Sequence, residues 1–70
     1  MTPADFKSGR NALGLSIAEL AVALDTDPRT IRKWEALHGN SARPPNPIAC
    51  RVLGWMLAGF RPPEWPEGKR

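Results

Sequence analysis

The chain has 70 residues, a formal net charge of +3, 41% hydrophobic residues and 24% charged residues. That length holds one domain and excludes the barrel and dinucleotide-binding enzyme folds, which need roughly 150–250 residues. One cysteine and one histidine, Cys50 and His38, exclude an internal disulfide and a four-ligand structural zinc, so no metal and no cofactor are expected.

Helix starts are written in the caps. Three times a capping residue precedes a proline: Thr2-Pro3, Asp27-Pro28 and Asn46-Pro47. Proline at the first helical position loses no hydrogen bond, and the side-chain oxygen before it takes a free amide. Ser16 with Glu19 three residues later forms a fourth start, a capping box. The first helix is predicted over Pro3 to Leu13, stopped by Gly14, with Phe6 and Leu13 on one face. The second runs from Ile17 to Leu24, with Ile17, Leu20, Ala21 and Leu24 as its apolar stripe. The third runs from Pro28 to about Leu37, with Ile31 and Trp34 inward. His38 to Pro45 reads as a loop, with His38 as a helix-end residue. The fourth helix runs from Pro47 to Gly59, with Cys50 as a small buried residue rather than a nucleophile. The tail, 61–70, carries too many prolines for a helix and is expected to be extended. No segment alternates as a strand does, so the fold is expected to be all-α. Residues 1–60 form the domain and 61–70 the tail.

Charge is unevenly placed. Residues 1–27 carry a net −2, residues 28–43 a net +3 and residues 44–70 a net +2. The middle segment, with Arg29, Arg32, Lys33 and Arg43, is a basic patch suited to a polyanion; a solvated surface is the alternative at this point. The longest apolar run, 52–60, is far short of the roughly 20 residues that span a bilayer. The stretch Met1 to Lys7 has no apolar signal core. A cytoplasmic protein with no membrane partner is expected, and no catalytic constellation argues for an enzyme.

Only Asp25 and Thr26, with the cap Asp27, separate the second and third helices, which forces a sharp corner. Leu20, Leu24, Ile31 and Trp34 are apolar where such a corner needs it, and Ala21 is small where the helices cross. Leu13-Gly-Leu-Ser-Ile-Ala-Glu-Leu-Ala-Val-Ala-Leu24, followed by Thr30-Ile-Arg-Lys-Trp-Glu35, resembles the phage Cro/repressor type of helix-turn-helix domain over roughly residues 3–58. The resemblance implies a dimeric transcriptional regulator whose third helix enters the major groove of DNA. It implies a structural ion pair between Arg10 and Glu35. Its base-reading positions fall on Pro28, Arg29 and Lys33, and its loop after the third helix, with Asn40, Ser41 and Arg43, runs along the backbone. The sequence departs from the pattern twice. Asp25 stands where the turn usually has glycine, a conformation that Asp tolerates. Ile17 stands where a glutamine usually reaches a phosphate, which leaves the amides of Ser16 to Ala18, at the helix N-terminus, to do so.

Arg29, Arg32 and Lys33 share the outer face of the third helix. Arginine grips the O6/N7 edge of guanine with two hydrogen bonds, so Arg29 is the foremost base-contact candidate. Pro28 has no donor and at most touches a thymine methyl. Thr30 is either a phosphate contact or a capping partner of Asp27, and Lys7 approaches the backbone only weakly.

The fourth helix is apolar nearly all round, with Ile48, Val52, Trp55 and Met56 on one side and Leu53, Leu57 and Phe60 on another. A helix apolar on every face must be covered on every face. The expected cover is a second copy, through Val52, Leu53, Trp55, Met56, Leu57, Phe60 and Trp65. The alternative is that the tail folds back and Trp65 covers the second side. The expected function is a dimeric repressor that occupies an inverted-repeat operator. An antitoxin-type autoregulator whose tail binds a toxin, and a protein-interaction module for an acidic partner, stand as rivals.

Overall fold

The structure, a computed structural model, describes residues 1–36 and 43–69. Four α-helices follow in order among them: α1 (Pro3–Ala12), α2 (Ile17–Leu24), α3 (Pro28–Glu35) and α4 (Pro47–Leu57). No strand occurs among the described residues. All four helices start where the capping residues stand. The Thr2 hydroxyl accepts from the Asp5 amide at 3.1 Å while the Asp5 carboxylate accepts from the Thr2 amide at 3.3 Å. Ser16 and Glu19 repeat the arrangement at 3.1 and 2.8 Å. Asp27 accepts from the Arg29 amide at 2.8 Å, and Asn46 from those of Ile48 and Ala49 at 2.8 and 3.4 Å. Each cap satisfies amides that a helix start leaves without partners.

The helix ends are equally local. Gly14 follows α1 at φ 72°, and the Leu15 amide reaches back to the Arg10 carbonyl at 3.3 Å. Asp25 closes α2 at φ 54°, ψ 49°, the left-handed conformation that the missing glycine would have taken without strain. The chain then turns into α3 within two residues, and the Thr26 amide bonds the Ala21 carbonyl at 2.9 Å. Helix α3 ends at Glu35, and Ala36 is already extended; Leu37, predicted as its last residue, lies outside the described residues together with His38. Helix α4 ends at Leu57, two residues short of the predicted Gly59, which adopts φ 118°.

Helix α1 packs against α3 and α4, and α2 packs against α3. The core is Phe6, Leu15, Leu20, Ala21, Ile31, Ala49, Leu53, Met56 and Trp65. Ile17, Leu24, Trp34, Cys50 and Val52 pack half-buried at its edge. Phe6 meets Trp34 edge to face, with centroids 5.7 Å apart, a geometry that the ring quadrupoles favour. Gly9 lets α1 approach α4: a Cβ there would lie 3.1 Å from Cδ2 of Leu53. One ion pair sits among these apolar groups. Nε and Nη2 of Arg10 donate to the two Glu35 carboxylate oxygens at 2.7 and 3.0 Å, and Nη1 donates to the Leu15 carbonyl at 2.8 Å.

The tail departs from the extended course expected of it. Residues 63–65 turn, and Glu67–Lys69 form one turn of 3-10 helix. Trp65 is 3% exposed within its own chain. Its indole Nε1 donates to the Lys69 carbonyl at 3.0 Å. The Arg61 guanidinium lies 4.2 Å from its ring and donates to the Met56 and Phe60 carbonyls at the end of α4. Lys69 closes the loop: its ammonium pairs with Glu19 at 2.6 Å and also meets the Gly14 carbonyl. The prolines rule out an α-helix, but they do not prevent a folded turn that buries a large ring.

This docking corrects the expected subunit interface. Leu53 and Met56 are fully buried and Trp65 nearly so, all inside one chain. These three residues are core, because Ala49, Leu53 and Met56 form an i, i+4, i+7 stripe facing α1 and the tail. Val52 is half-buried against the same core. Trp55, Leu57 and Phe60 remain exposed by 52%, 45% and 49%.

Two substitutions test this account of the core. Glu35→Ala leaves the Arg10 charge buried without its partner and should cost about 3–5 kcal/mol in urea unfolding. Trp65→Ala should cost a similar amount, about 3–5 kcal/mol, by opening a cavity.

Candidate nucleic-acid interface

The corner between α2 and α3 sets which side chains face outward. Ile31 and Glu35 point into the core, so a helix of 3.6 residues per turn must present Arg29, Arg32 and Lys33 to solvent, and all three are exposed. Pro28 and Thr30 are half-buried beside them. Arg32 and Lys33 make no side-chain hydrogen bond or ion pair among the described residues. The Arg43 amide donates to the Lys33 carbonyl at 3.1 Å, which ties the chain before α4 to the end of α3. Arg43 is exposed. The structure thus brings Arg29, Arg32, Lys33 and Arg43 onto one helix and the irregular segment tied to it. Asn40 and Ser41, the other expected backbone contacts, lie outside the described residues.

The start of α3 is more organised than the sequence alone suggested. Besides capping the Arg29 amide, the Asp27 carboxylate takes Nε and Nη2 of Arg29 at 3.2 and 2.9 Å. The Arg29 guanidinium and its backbone amide lower the Asp27 carboxyl from its ordinary 3.8 to about 2, and the carboxylate in turn raises the Arg29 guanidinium. The Thr30 amide bonds the Asp27 carbonyl at 2.9 Å. The carboxylate itself therefore serves Arg29.

At the start of α2 the Ser16 hydroxyl is exposed and already accepts from the Glu19 amide. Ile17 is half-buried and contributes no polar atom. A cation reaches this point from elsewhere: Lys69 stands beside Glu19 and holds that carboxyl below its ordinary value, with the Ser16 amide contributing less. Nothing local to Lys69 signals this, because the contact spans fifty residues of sequence. The Asp27–Arg29 pair carried a fainter signal, an acid and a base flanking one proline.

The described residues contain no group of His, Cys, Asp and Glu arranged to hold a metal ion. No described helix is long and apolar enough to cross a membrane.

A family model described as helix-turn-helix matches residues 6–41, just over half the chain. The match takes in most of α1, both helices of the sharp corner and the basic face of α3. Helix α4 and the tail lie beyond it. No curated protein and no solved structure matches the chain.

The depressed Asp27 carboxyl makes a pH prediction. A carboxyl lowered by folding contributes stability that is fully present above its unfolded value and is lost as pH falls through its folded value. The contribution of Asp27 should therefore be constant above about pH 4 and fade between 3.8 and about 2. Acid melts of the wild type and of Asp27→Ala should converge below about pH 2 and run parallel above pH 5.

Proposed function

The chain belongs to the Cro/repressor-type helix-turn-helix family of DNA-binding regulators, and on that premise we propose that it is a sequence-specific repressor working in the cytoplasm as a homodimer on an inverted-repeat operator. The observation that carries this reading is the division of α3. Ile31 and Glu35 are buried while Arg29, Arg32 and Lys33 are exposed. A short helix anchored on one side and cationic on the other fits the major groove, where arginine and lysine find the guanine O6 and N7 acceptors. Arg29 and Lys33 read bases in this scheme, Arg32 lies beside them, and Pro28 packs against the groove floor. Arg43, Thr30 and Ser16 hold phosphates, as do Asn40 and Ser41 of the loop, and such contacts fix register without reading sequence. Repression by occupancy needs nothing beyond this surface.

Dimerisation is proposed through the part of α4 that the tail leaves bare. Trp55 and Phe60 stack edge to face at 6.3 Å on the surface, each about half-exposed. Two large aromatic side chains side by side at the end of α4 form an apolar patch suited to a two-fold partner.

Selection from a random double-stranded pool tests the proposal. The wild type should yield an inverted repeat with half-site centres about 10 base pairs apart, one helical turn. Affinity should fall steeply with salt, because phosphate contacts release counterions. Arg43→Ala should weaken all sequences alike, and Trp55→Glu should sediment as a folded monomer with far weaker binding, since the half-sites are no longer linked. A wild type that sediments as a monomer at tens of micromolar, or a selected site without dyad symmetry, would remove the dimer. Failure to enrich any sequence would remove the repressor.

A further inference from the structure

We infer that Asp27 is a positioning residue for base readout: it holds one edge of the Arg29 guanidinium so that the other edge is preset for the O6/N7 face of a guanine. The inference rests on the proposed entry of α3 into the groove and goes beyond it, by assigning a specificity role to a residue known so far only as a helix cap.

The argument is one of donor geometry. A guanidinium has five N–H donors in a rigid plane. Asp27 takes Nε and Nη2, the side edge of that plane, at 3.2 and 2.9 Å. The end edge, Nη1 with the second hydrogen of Nη2, keeps two parallel donors and makes no hydrogen bond among the described residues. Two parallel donors are what guanine O6 and N7 accept. The Arg29 side chain is 81% exposed, so that edge is reachable.

Capping alone does not call for this arrangement. Oδ1 of Asp27 already accepts from the Arg29 amide at 2.8 Å. Asn or Ser would cap a helix about as well. Only the second oxygen, Oδ2, distinguishes a carboxylate here, and it is engaged with Nη2 of Arg29. Nor does fold stability explain the pair, since its side chains are 81% and 45% exposed and such pairs contribute little. Pro28 lies between the two residues and locks its own φ, which removes one backbone rotation between Asp27 and Arg29. Arginine is otherwise a long, mobile side chain, and a side chain ordered before binding loses less freedom on binding. The pair is ionised throughout the neutral range, because Asp27 titrates only near pH 2. Lys33, one turn along α3, adds a second cation on the same side.

The sign of the expected effect separates positioning from simple electrostatics. Asp27→Asn removes a negative charge from a surface meant for DNA, so affinity for random duplex should rise or stay the same. Preference for guanine at one base pair should nevertheless fall about tenfold, because Arg29 loses the carboxylate that orients it. The experiment compares selection from a random duplex pool for the wild type, Arg29→Ala, Asp27→Asn and Asp27→Ser, with thermal melts of each. Two cap-retaining variants are used so that unfolding of one does not decide the outcome. The inference is supported if Arg29→Ala and the Asp27 variants lose the same guanine while their melts stay close to the wild type. It is overturned if the Asp27 variants keep or sharpen that guanine preference, which would mean that the carboxylate competes with DNA for Arg29. It is overturned as well if Arg29→Ala leaves every base preference intact, in which case the operator reading stands without Arg29. A wild type that enriches no sequence brings down the repressor proposal and this inference together.

Discussion

The fold turns on one buried arginine. Arg10 lies on α1, yet its guanidinium holds both oxygens of Glu35 at the last residue of α3 and the Leu15 carbonyl in the link to α2. Three parts of the chain are therefore pinned by one planar group. The two residues are only 8% and 9% exposed. A buried pair of this kind is a poor source of net stability, since desolvation offsets much of the attraction. It is nevertheless directional in a way that apolar contacts are not. A bidentate fork has one good geometry, and here that geometry fixes the angle at which α3 leaves the body of the domain.

That angle matters because α3 has only eight residues and two opposed duties. Its inner side must fill the core through Ile31 and close the ion pair through Glu35. Its outer side presents cations. In so short a helix no residue is spare, and a rotation of one position would bury Arg32 and expose Ile31. The Asp27 cap at one end and the Glu35 pair at the other prevent this. The left-handed Asp25 sets the corner that precedes them. Local caps, one unusual backbone conformation and one buried pair thus act together on the same eight residues.

The opposite end of the molecule solves a different difficulty. A small domain has little interior, and α4 has more apolar surface than α1 alone can cover. The tail answers part of this by folding back and burying Trp65 over the α4 stripe. Arg61 stacks on the ring and caps the carbonyls of α4, and Lys69 ties the end of the tail to the start of α2. Trp55 and Phe60 are left about half-exposed, edge to face with each other. Core and surface on α4 are separated by the i, i+4, i+7 run of Ala49, Leu53 and Met56 rather than by the two sides that composition suggested.

The helix starts, the sharp corner and the basic outer face of α3 are all legible in short stretches of sequence. Each depends on residues within four positions of one another: Thr2 with Asp5, Ser16 with Glu19, Asp27 and Asn46 with the prolines after them. The left-handed turn at Asp25 and the Arg10–Glu35 pair were legible only through resemblance, since nothing local couples residues 25 positions apart. What tertiary structure alone decided was which side of α4 is core, where Trp65 goes, how Lys69 meets Glu19, and that Arg29 leans on Asp27. Composition states that apolar surface must be covered; it does not state by what. That choice belongs to long-range packing, where a tryptophan beyond two prolines competes with a second molecule for the same helix, and only the folded chain shows which contacts its own tail has taken.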